Sequence, residues 1–281
     1  MPSPIFPVCD KYAEFSAGRP WKARLRDVVR DAAVCALGLR PSAATGSWLR
    51  FPYYHHVFDD ECRGFSRQLD FMAAHGEFLS LDDAVALLAG GGPIEGRYFC
   101  ITFDDGLGGC RRAVEILSER SIPAAFYVTA DYMGRSLPPT DPAARTFGFR
   151  GRHSDLDFLS WDECRSMAAA GMIIGSHTCT HARLVELDDA GVEAELARSK
   201  AVVETELGQP CHHFCAPWGM PHSHYRPDRD PMIARKLGYR SFASGVRGAM
   251  RAGDDVFSLT RDHLLANWSV LQLRHFLIGN S

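Results

Sequence analysis

The sequence lacks a paired-cysteine motif, a long apolar run and an excess of basic residues. Its nine cysteines are scattered, odd in number and without a CxxC pair, so free thiols in a reducing compartment are expected. No uncharged run approaches the ~20 residues of a membrane-spanning helix, and no apolar N-terminal region indicates a signal peptide. With a net charge of −3, nothing suggests a nucleic-acid partner. We therefore expect a cytoplasmic protein without a transmembrane segment.

What is present is apolar content of 46% over 281 residues, which is enough for a full core. Apolar strand-like runs alternate with helical patterns, and this alternation predicts a parallel α/β sheet. A closed or nearly closed single-domain barrel is the first choice. A doubly wound open sheet is the alternative, although no GxGxxG opens a helix after a strand.

Several segments give specific expectations. An amphipathic helix is predicted over 21–38, and its stripe is short and poor in Trp, Phe and Leu, so it is expected to pack on the domain rather than lie on a membrane. Tyr53 is expected in the core. Other patterns predict a linker over 41–47, a strand over 48–57, an irregular loop over 131–160 and a strand over 256–259.

Two adjacent carboxylates, Asp104 and Asp105, follow a buried strand that begins at Tyr98. Adjacent side chains on a strand point to opposite faces, so both can share one site only where the strand has already turned. Gly106 supplies that turn. Because the carboxyl ends of strands carry the chemistry in β/α barrels, the pair is a candidate site, with a solvated turn or a helix cap as the alternative.

A second candidate is the histidine pair His177 and His181, which also follows a strand. On a helical turn, residues spaced i and i+4 face the same way and can share one ion. Two histidines with one carboxylate, such as Asp105, form a known site for Zn²⁺ and other divalent metals. Such an ion lowers the pKa of a bound water to about 7, and Asp104 is placed to take its proton.

These motifs resemble those of the polysaccharide deacetylase family, the NodB-homology domain of carbohydrate esterase family 4. Thr102-Phe-Asp-Asp-Gly106 matches the first motif of that family, and Ser176-His-Thr-Cys-Thr-His181 matches the second. Phe214-Cys-Ala-Pro-Trp-Gly219 resembles the third. The leading Tyr54-His-His-Val57 is similar to the branch of exopolysaccharide N-deacetylases, in which the motifs are circularly permuted. The resemblance extends from about residue 52 to residue 265.

The resemblance implies a distorted (β/α)₇ barrel, TIM-like, over 48–281, preceded by an N-terminal extension over 1–47. It implies that Asp104 is the catalytic base and that one divalent ion, usually Zn²⁺ and sometimes Co²⁺, Ni²⁺ or Mn²⁺, is held by Asp105, His177 and His181. The substrate and the oxyanion would be bound by Pro217, Trp218 and Gly219.

Two residues of the family pattern are missing here, and other residues are candidates to replace them. The third motif usually begins with an Arg that orients the catalytic aspartate, but Cys215 stands there, and Arg261 is the candidate substitute. The usual C-terminal acid histidine has only a poor match in His263. By the permuted pattern we take His55 as the general acid, with His56 as a structural neighbour.

The expected activity is therefore removal of the N-acetyl group from an N-acetylated sugar, giving acetate and an amine. A small, nucleotide-linked or lipid-linked sugar fits a cytoplasmic enzyme better than an extracellular polymer does. The metal site does not determine which leaving group is released, so an O-acetyl esterase or a non-sugar amidase is an alternative. So is an inactive carbohydrate-binding homologue, although four intact site residues argue against it.

Overall fold

The centre of the protein is a curled sheet of seven parallel strands in a computed structural model that describes residues 7–39 and 46–279. The strands of the described residues, in chain order, are β1 (Trp48–Arg50), β2 (Pro52–Tyr54), β3 (Glu77–Phe78), β4 (Arg97–Phe99), β5 (Ile101–Phe103), β6 (Ala124–Val128), β7 (Ser136–Leu137), β8 (Leu156–Asp157), β9 (Ile173–Ser176), β10 (His213–Cys215), β11 (Ser241–Ala243) and β12 (Asp262–His263). The order across the main sheet is β11-β10-β9-β6-β5-β2-β12.

The segment that ends in β12 joins the two edges of this sheet. At its start, Leu259 forms a parallel bridge with Ala243 of β11. Three residues later, at Asp262, the same segment begins to pair with β2, with His263 opposite Tyr53. The curled sheet is therefore the distorted (β/α)₇ barrel that the sequence predicts, and the open-sheet alternative is wrong.

Two of the barrel strands continue from a second, smaller sheet of order β1-β4-β3. The strand predicted over 48–57 is split at Phe51 into β1 and β2, and the strand from Tyr98 is split at Cys100 into β4 and β5. The Cys100 N–H donates to the Arg50 carbonyl at 2.9 Å, which keeps the two chains paired across the break. These breaks let one chain segment serve both sheets, and β2 and β5 reach the site side by side.

Helices connect the strands and cover the barrel. Their bounds are α1 (Tyr12–Phe15), α2 (Trp21–Gly38), α3 (Cys62–Ala73), α4 (Leu81–Ala89), α5 (Arg111–Glu119), α6 (Pro142–Thr146), α7 (Trp161–Ala169), α8 (Asp189–Leu207), α9 (Asp230–Lys236) and α10 (Val270–Leu273), which continues as a wider turn over Arg274–Ile278. Within the described ranges, no helix is both long enough and apolar enough to cross a membrane.

Two sequence predictions for this part of the molecule are wrong. The segment 131–160 is not free of regular structure, because β7 and β8 pair antiparallel and α6 lies between them. Short elements such as these give too few residues to show a period. The strand predicted over 256–259 is a 3₁₀ turn, Val256–Ser258, in which the Asp255 side chain accepts a hydrogen bond from the Phe257 N–H.

The helix predicted over 21–38 is present as α2, but its apolar stripe faces solvent rather than the domain. Val28 and Val29 are exposed, whereas Gly38 is buried. A Cβ built on Gly38 would lie 2.0 Å from the carbonyl oxygen of Leu271 in α10. The helix packs on the domain, as expected, with Gly38 at the closest approach to α10, but most of its apolar stripe points outward. The predicted linker lies mostly outside the described residues, as 40–45 are not described.

The N-terminal segment is fastened to the barrel beside the pocket described below. The Glu14 carboxylate accepts hydrogen bonds from the backbone N–H groups of Arg152 and His153, at 2.8 and 3.0 Å. Asp60 accepts from the Tyr12 N–H at 2.8 Å, and Phe15 is buried. These contacts hold α1 at the carboxyl ends of the strands.

Candidate metal and catalytic site

The carboxyl ends of β5 and β9 bring Asp105, His177 and His181 together in the barrel mouth, where all three side chains are buried. Asp105 has φ of 73° and His181 has φ of 61°. Non-glycine residues seldom adopt this left-handed conformation, and its cost is tolerated where the surroundings fix it. The pair 177–181 is therefore not on the helical turn that the spacing suggested. Left-handed residues in a loop turn both imidazoles to one point instead.

The three side chains have the spacing of ligands around one small ion. The Nε2 atoms of His177 and His181 lie 3.4 and 3.2 Å from the same Asp105 oxygen. Ligands about 2.0–2.1 Å from a tetrahedral Zn²⁺ are separated from each other by roughly 3.3 Å. The donor set, two imidazoles and a carboxylate, is also one that Zn²⁺ prefers. The residues present therefore fit a divalent metal ion.

The surroundings orient these ligands. The His177 Nδ1–H donates to the carbonyl oxygen of Cys215 at 2.9 Å, which leaves Nε2 free to bind. Burial acts to raise the pKa of Asp105, but hydrogen bonds from His177 and His181 outweigh it, and the pKa lies well below its usual value. The carboxylate is therefore charged, as a metal ligand must be.

The neighbouring carboxylate, Asp104, is held by Arg261. The two terminal nitrogens of the guanidinium each donate to a different carboxylate oxygen, both at 2.7 Å. Burial acts to raise the pKa of Asp104, but the charge and hydrogen bonds of Arg261 outweigh it, so the pKa is below its usual value. Asp104 also lies near His177 and Cys215 in a second cluster of metal-ligand atoms. Because both of its oxygens already accept from Arg261, the Asp105 cluster is the better metal site.

Arg261 comes from the segment that closes the barrel, far in sequence from the third motif. Its Nε donates to the Ser244 carbonyl at 2.8 Å, and its guanidinium lies 4.1 Å from the centre of the Tyr53 ring. The Cys215 sulfur is 2.9 Å from one guanidinium nitrogen and 3.7 Å from both Asp104 oxygens. The small thiol thus leaves the space beneath Asp104 in which Arg261 lies.

The site opens into a pocket of about 250 Å³. Besides the residues above, its walls include His55 and His263, whose ring centres are 5.0 Å apart. Burial lowers the pKa of His55, against the attraction of Asp105 and Asp104 for its protonated form. The His263 Nε2 is buried and has no hydrogen-bond partner among the described residues. Both rings line the same pocket as Asp104 and Asp105.

His56 occupies a different setting from His55. Its Nδ1 lies 3.0 Å from a Glu61 oxygen, and its ring stacks on Phe58 with centres 4.3 Å apart. The Phe15 ring lies on it as well, at 4.7 Å. A ring enclosed in this way supports the pocket wall and the N-terminal segment.

The third motif forms a tight turn at the pocket rim. Trp218 has φ of 64° and its ring centre is 5.1 Å from that of His181. Its N–H donates to no other group of the described chain. Gly219 has φ of +69°, and a Cβ there would lie 2.3 Å from the Gly245 nitrogen, so only glycine fits. The Gly219 N–H bonds to the Pro217 carbonyl at 2.7 Å, which closes the turn.

Sequence reasoning missed several walls of this pocket. Tyr12 and Phe15 reach it from the N-terminal segment, and Phe147 reaches it from the segment expected to be irregular. The Phe147 ring centre is 4.8 Å from that of His181. Tyr53 is largely buried, as expected, yet also lines the pocket. Nothing in the sequence around these residues marks them as pocket walls, because a local pattern does not show which distant segment covers a site.

A family model described as polysaccharide deacetylase matches residues 91–242. No curated protein matches the sequence.

Solved structures share the fold. IcaB from Ammonifex degensii is 24% identical, with a TM-score of 0.68 over 83% of this chain and 97% of its own. Streptococcus pyogenes deacetylase PplD, solved with acetate, is 21% identical, with a TM-score of 0.65 over 83% of this chain and 99% of its own. The BpsB deacetylase domain from Bordetella bronchiseptica is 17% identical, with a TM-score of 0.61 over 80% of this chain and 98% of its own.

Proposed function

This chain belongs to the polysaccharide deacetylase family, and from that membership we propose that it is a metal-dependent hydrolase acting on an N-acetylated sugar. The products would be acetate and the free amine. The observation that carries the proposal is the pairing of two differently held carboxylates in one pocket. Asp105 faces two imidazoles, whereas Asp104 faces a guanidinium. One can bind a cation while the other stays free to accept a proton.

Asp105, His177 and His181 would hold one divalent ion, with Zn²⁺ preferred for this donor set and Co²⁺, Ni²⁺ or Mn²⁺ as substitutes. When bound, the ion polarises the acetyl carbonyl and makes a nearby water more acidic. The remaining steps belong to side chains and backbone groups of this chain.

Asp104 is the proposed general base. It takes a proton from the attacking water while the water oxygen forms a bond to the acetyl carbon. Arg261 keeps the carboxylate ionised and fixes its orientation through the two hydrogen bonds. A base that is already ionised and already oriented loses little freedom when the reaction begins.

The negative charge on the former carbonyl oxygen needs a donor, and the unpaired N–H of Trp218 supplies one. Pro217 and Gly219 hold that N–H through the tight turn. Breakage of the carbon–nitrogen bond requires a proton on the leaving amine, and we assign this step to His55. Asp105 and Asp104 attract the protonated ring that this step consumes, but burial outweighs them and lowers the pKa of His55, so the ring must take up its proton during the reaction.

The pocket opens to solvent and has a volume of about 250 Å³, close to the lower end of the ~300–1,000 Å³ of typical ligand pockets. We expect it to hold one acetylated sugar unit, with the rest of any chain outside. The Trp218 ring, 40% exposed at the rim, is available to lie against the sugar face.

The test is acetate release by the purified chain after metal removal and reloading with each of the four ions. Three substrate classes of matched size are compared: an N-acetylated sugar, an O-acetylated sugar and an N-acetylated compound without a sugar. We expect release from the first class, dependent on the metal. Release only from the O-acetyl sugar or only from the non-sugar amide would replace the proposal by the corresponding alternative. Binding of the sugar without release would indicate an inactive homologue.

A further inference from the structure

The outward face of α2 is apolar along its whole length. With 3.6 residues per turn, a set of its side chains falls within an arc of about 100°. The larger members are exposed by 68% at Trp21, 55% at Leu25, 65% at Val28 and 61% at Val29. Ala32 and Ala36, also exposed, continue the arc toward the end of the helix. Contiguous exposed apolar surface of this kind marks an interaction site more often than chance.

The rest of α2 already has its partner, from the edge of the arc at Cys35 around to the far side. Gly38 lies against Leu271 of α10, and the Cys35 sulfur is 3.4 Å from the Ser269 hydroxyl. The Arg30 guanidinium lies 5.9 Å from the Trp268 ring centre. The helix is therefore docked on the barrel through one face, and this docking presents the apolar arc to the outside.

Basic residues flank the arc on both sides. Lys22 and Arg26 follow it on one edge and Arg24 on the other, and all three are exposed. None of them forms an ion pair in the described part of the chain. The acidic residues of the helix are already neutralised, since Asp27 pairs with Arg19 at 2.7 Å and Asp31 with Arg30 at 2.8 Å. The exposed surface of α2 is thus an apolar strip between cations.

We propose that α2 binds the surface of an anionic lipid bilayer, with the apolar arc in the headgroup boundary and the flanking cations on the lipid phosphates. Amphipathic helices that lie in the membrane plane have this arrangement, with cations on the polar face and Trp and Leu on the other. Long Lys and Arg side chains reach from the apolar boundary to the headgroups. Trp21 suits the boundary itself, since its ring is apolar and its N–H is polar.

The charge pattern favours a membrane over a second copy of the chain. A two-fold dimer through this face would place the same patch against itself. Lys22, Arg24 and Arg26 would then lie against a copy of the same patch, in which Asp27 and Asp31 are already paired with arginines. Anionic lipid headgroups supply that missing negative charge.

Docking by α2 would bring the catalytic pocket to the membrane surface. Arg24 and Val28 line a depression together with Tyr12 and Leu265. Tyr12 and Leu265 also line the catalytic pocket. The proposed membrane face and the pocket mouth are therefore neighbours, although vesicle binding itself does not depend on the proposed catalytic activity.

The test is flotation of the full chain with vesicles of phosphatidylcholine alone or mixed with phosphatidylglycerol. The double variant Leu25→Glu, Val29→Glu places carboxylates on the arc. Met232→Glu, at an apolar residue of α9 that is 63% exposed, is the matched control. Circular dichroism and acetate release from a soluble substrate show whether each variant is folded, because neither Leu25 nor Val29 contacts the pocket.

We expect binding to the anionic vesicles and not to phosphatidylcholine alone, weakened by salt because the lipid field is screened within a Debye length. The partitioning of the double variant into vesicles should fall by about tenfold or more. Its two carboxylates oppose burial in the headgroup boundary and are repelled by the anionic lipids. Met232→Glu should bind like the parent. Lack of binding to anionic vesicles at low salt would overturn the proposal. The proposal would also be overturned if the parent chain formed a dimer, the double variant were monomeric, and neither protein bound vesicles.

Discussion

Arg261 donates to both carboxylate oxygens of Asp104, at 2.7 Å each, and the two residues are 157 positions apart in the chain. Their side chains are almost completely buried. The contact crosses the barrel from its closing segment to β5. It supplies the charge that Cys215, at the usual arginine position of the third motif, does not carry.

Replacement of Arg261 by Lys should reduce kcat by about 10–100-fold, less than the roughly 10²–10⁴-fold that general base catalysis contributes, because the base itself remains. One ammonium cannot reproduce two parallel hydrogen bonds to a carboxylate. Arg261 lowers the pKa of Asp104, so the variant should raise that pKa. The acid limb of the pH profile of kcat/KM should then move to higher pH, because the base becomes protonated sooner.

The control for this variant is Arg235→Lys, an exposed arginine paired with Asp255 at 3.3 Å. It should leave the profile unchanged, because exposed ion pairs contribute little. An Arg261→Lys protein with the parental acid limb would show that Arg261 does not set the protonation of Asp104.

Substitution of His55 by Ala should lower kcat by about 100-fold or more, with metal content retained. His55 lines the pocket and is the proposed acid, whereas His56 is enclosed by Glu61 and Phe58. His56→Ala should therefore reduce thermal stability more than turnover. Steady-state kinetics, melting temperature and metal content separate the two effects.

His263 provides the sharpest comparison, because its ring also borders the pocket. We expect His263→Ala to retain more activity than His55→Ala. The reverse order would indicate that His263 is the general acid. Full activity in both variants would show that neither histidine protonates the leaving amine.

Gly219→Ala should destabilise the fold by about 2–4 kcal/mol and reduce activity, since its Cβ would meet the Gly245 backbone. The positive φ adds to this cost. Gly134→Ala is the matched control, because Gly134 has φ of +72° and no atom within 4 Å of such a Cβ. It should cost only about 1–2 kcal/mol from backbone strain. Urea unfolding of both variants measures the difference, and equal costs would show that the contact with Gly245 is unimportant.

Local patterns in the sequence predict a good part of this molecule. The starts of α4 and α7 are local features of this kind, because the Ser80 and Ser160 side chains accept hydrogen bonds from N–H groups three positions along the chain. Asp105, His177 and His181 could be proposed together because each follows a strand, and the ends of parallel strands meet at one edge of a barrel. The structure brings all three to one point.

What the sequence could not predict depends on contacts between distant segments. A periodic stripe shows that one side of α2 is apolar, but not that Gly38 would turn the other side toward α10. Spacing suggested a helical turn at 177–181, whereas left-handed residues at Thr178 and His181 form a loop. Tyr12, Phe15 and Phe147 became pocket walls only when the chain was folded, since no local pattern identifies which segment lies over a site.

The most direct test of the proposed metal centre is the metal content of the purified chain by elemental mass spectrometry. The measurement includes Asp105→Ala, His177→Ala and, as a matched control, His153→Ala at an exposed histidine. We predict about one divalent ion per chain in the parent protein and the control, and almost none in the two site variants. A parent protein that takes up no ion when loaded with Zn²⁺, Co²⁺, Ni²⁺ or Mn²⁺, or site variants that retain it, would contradict the proposed metal centre.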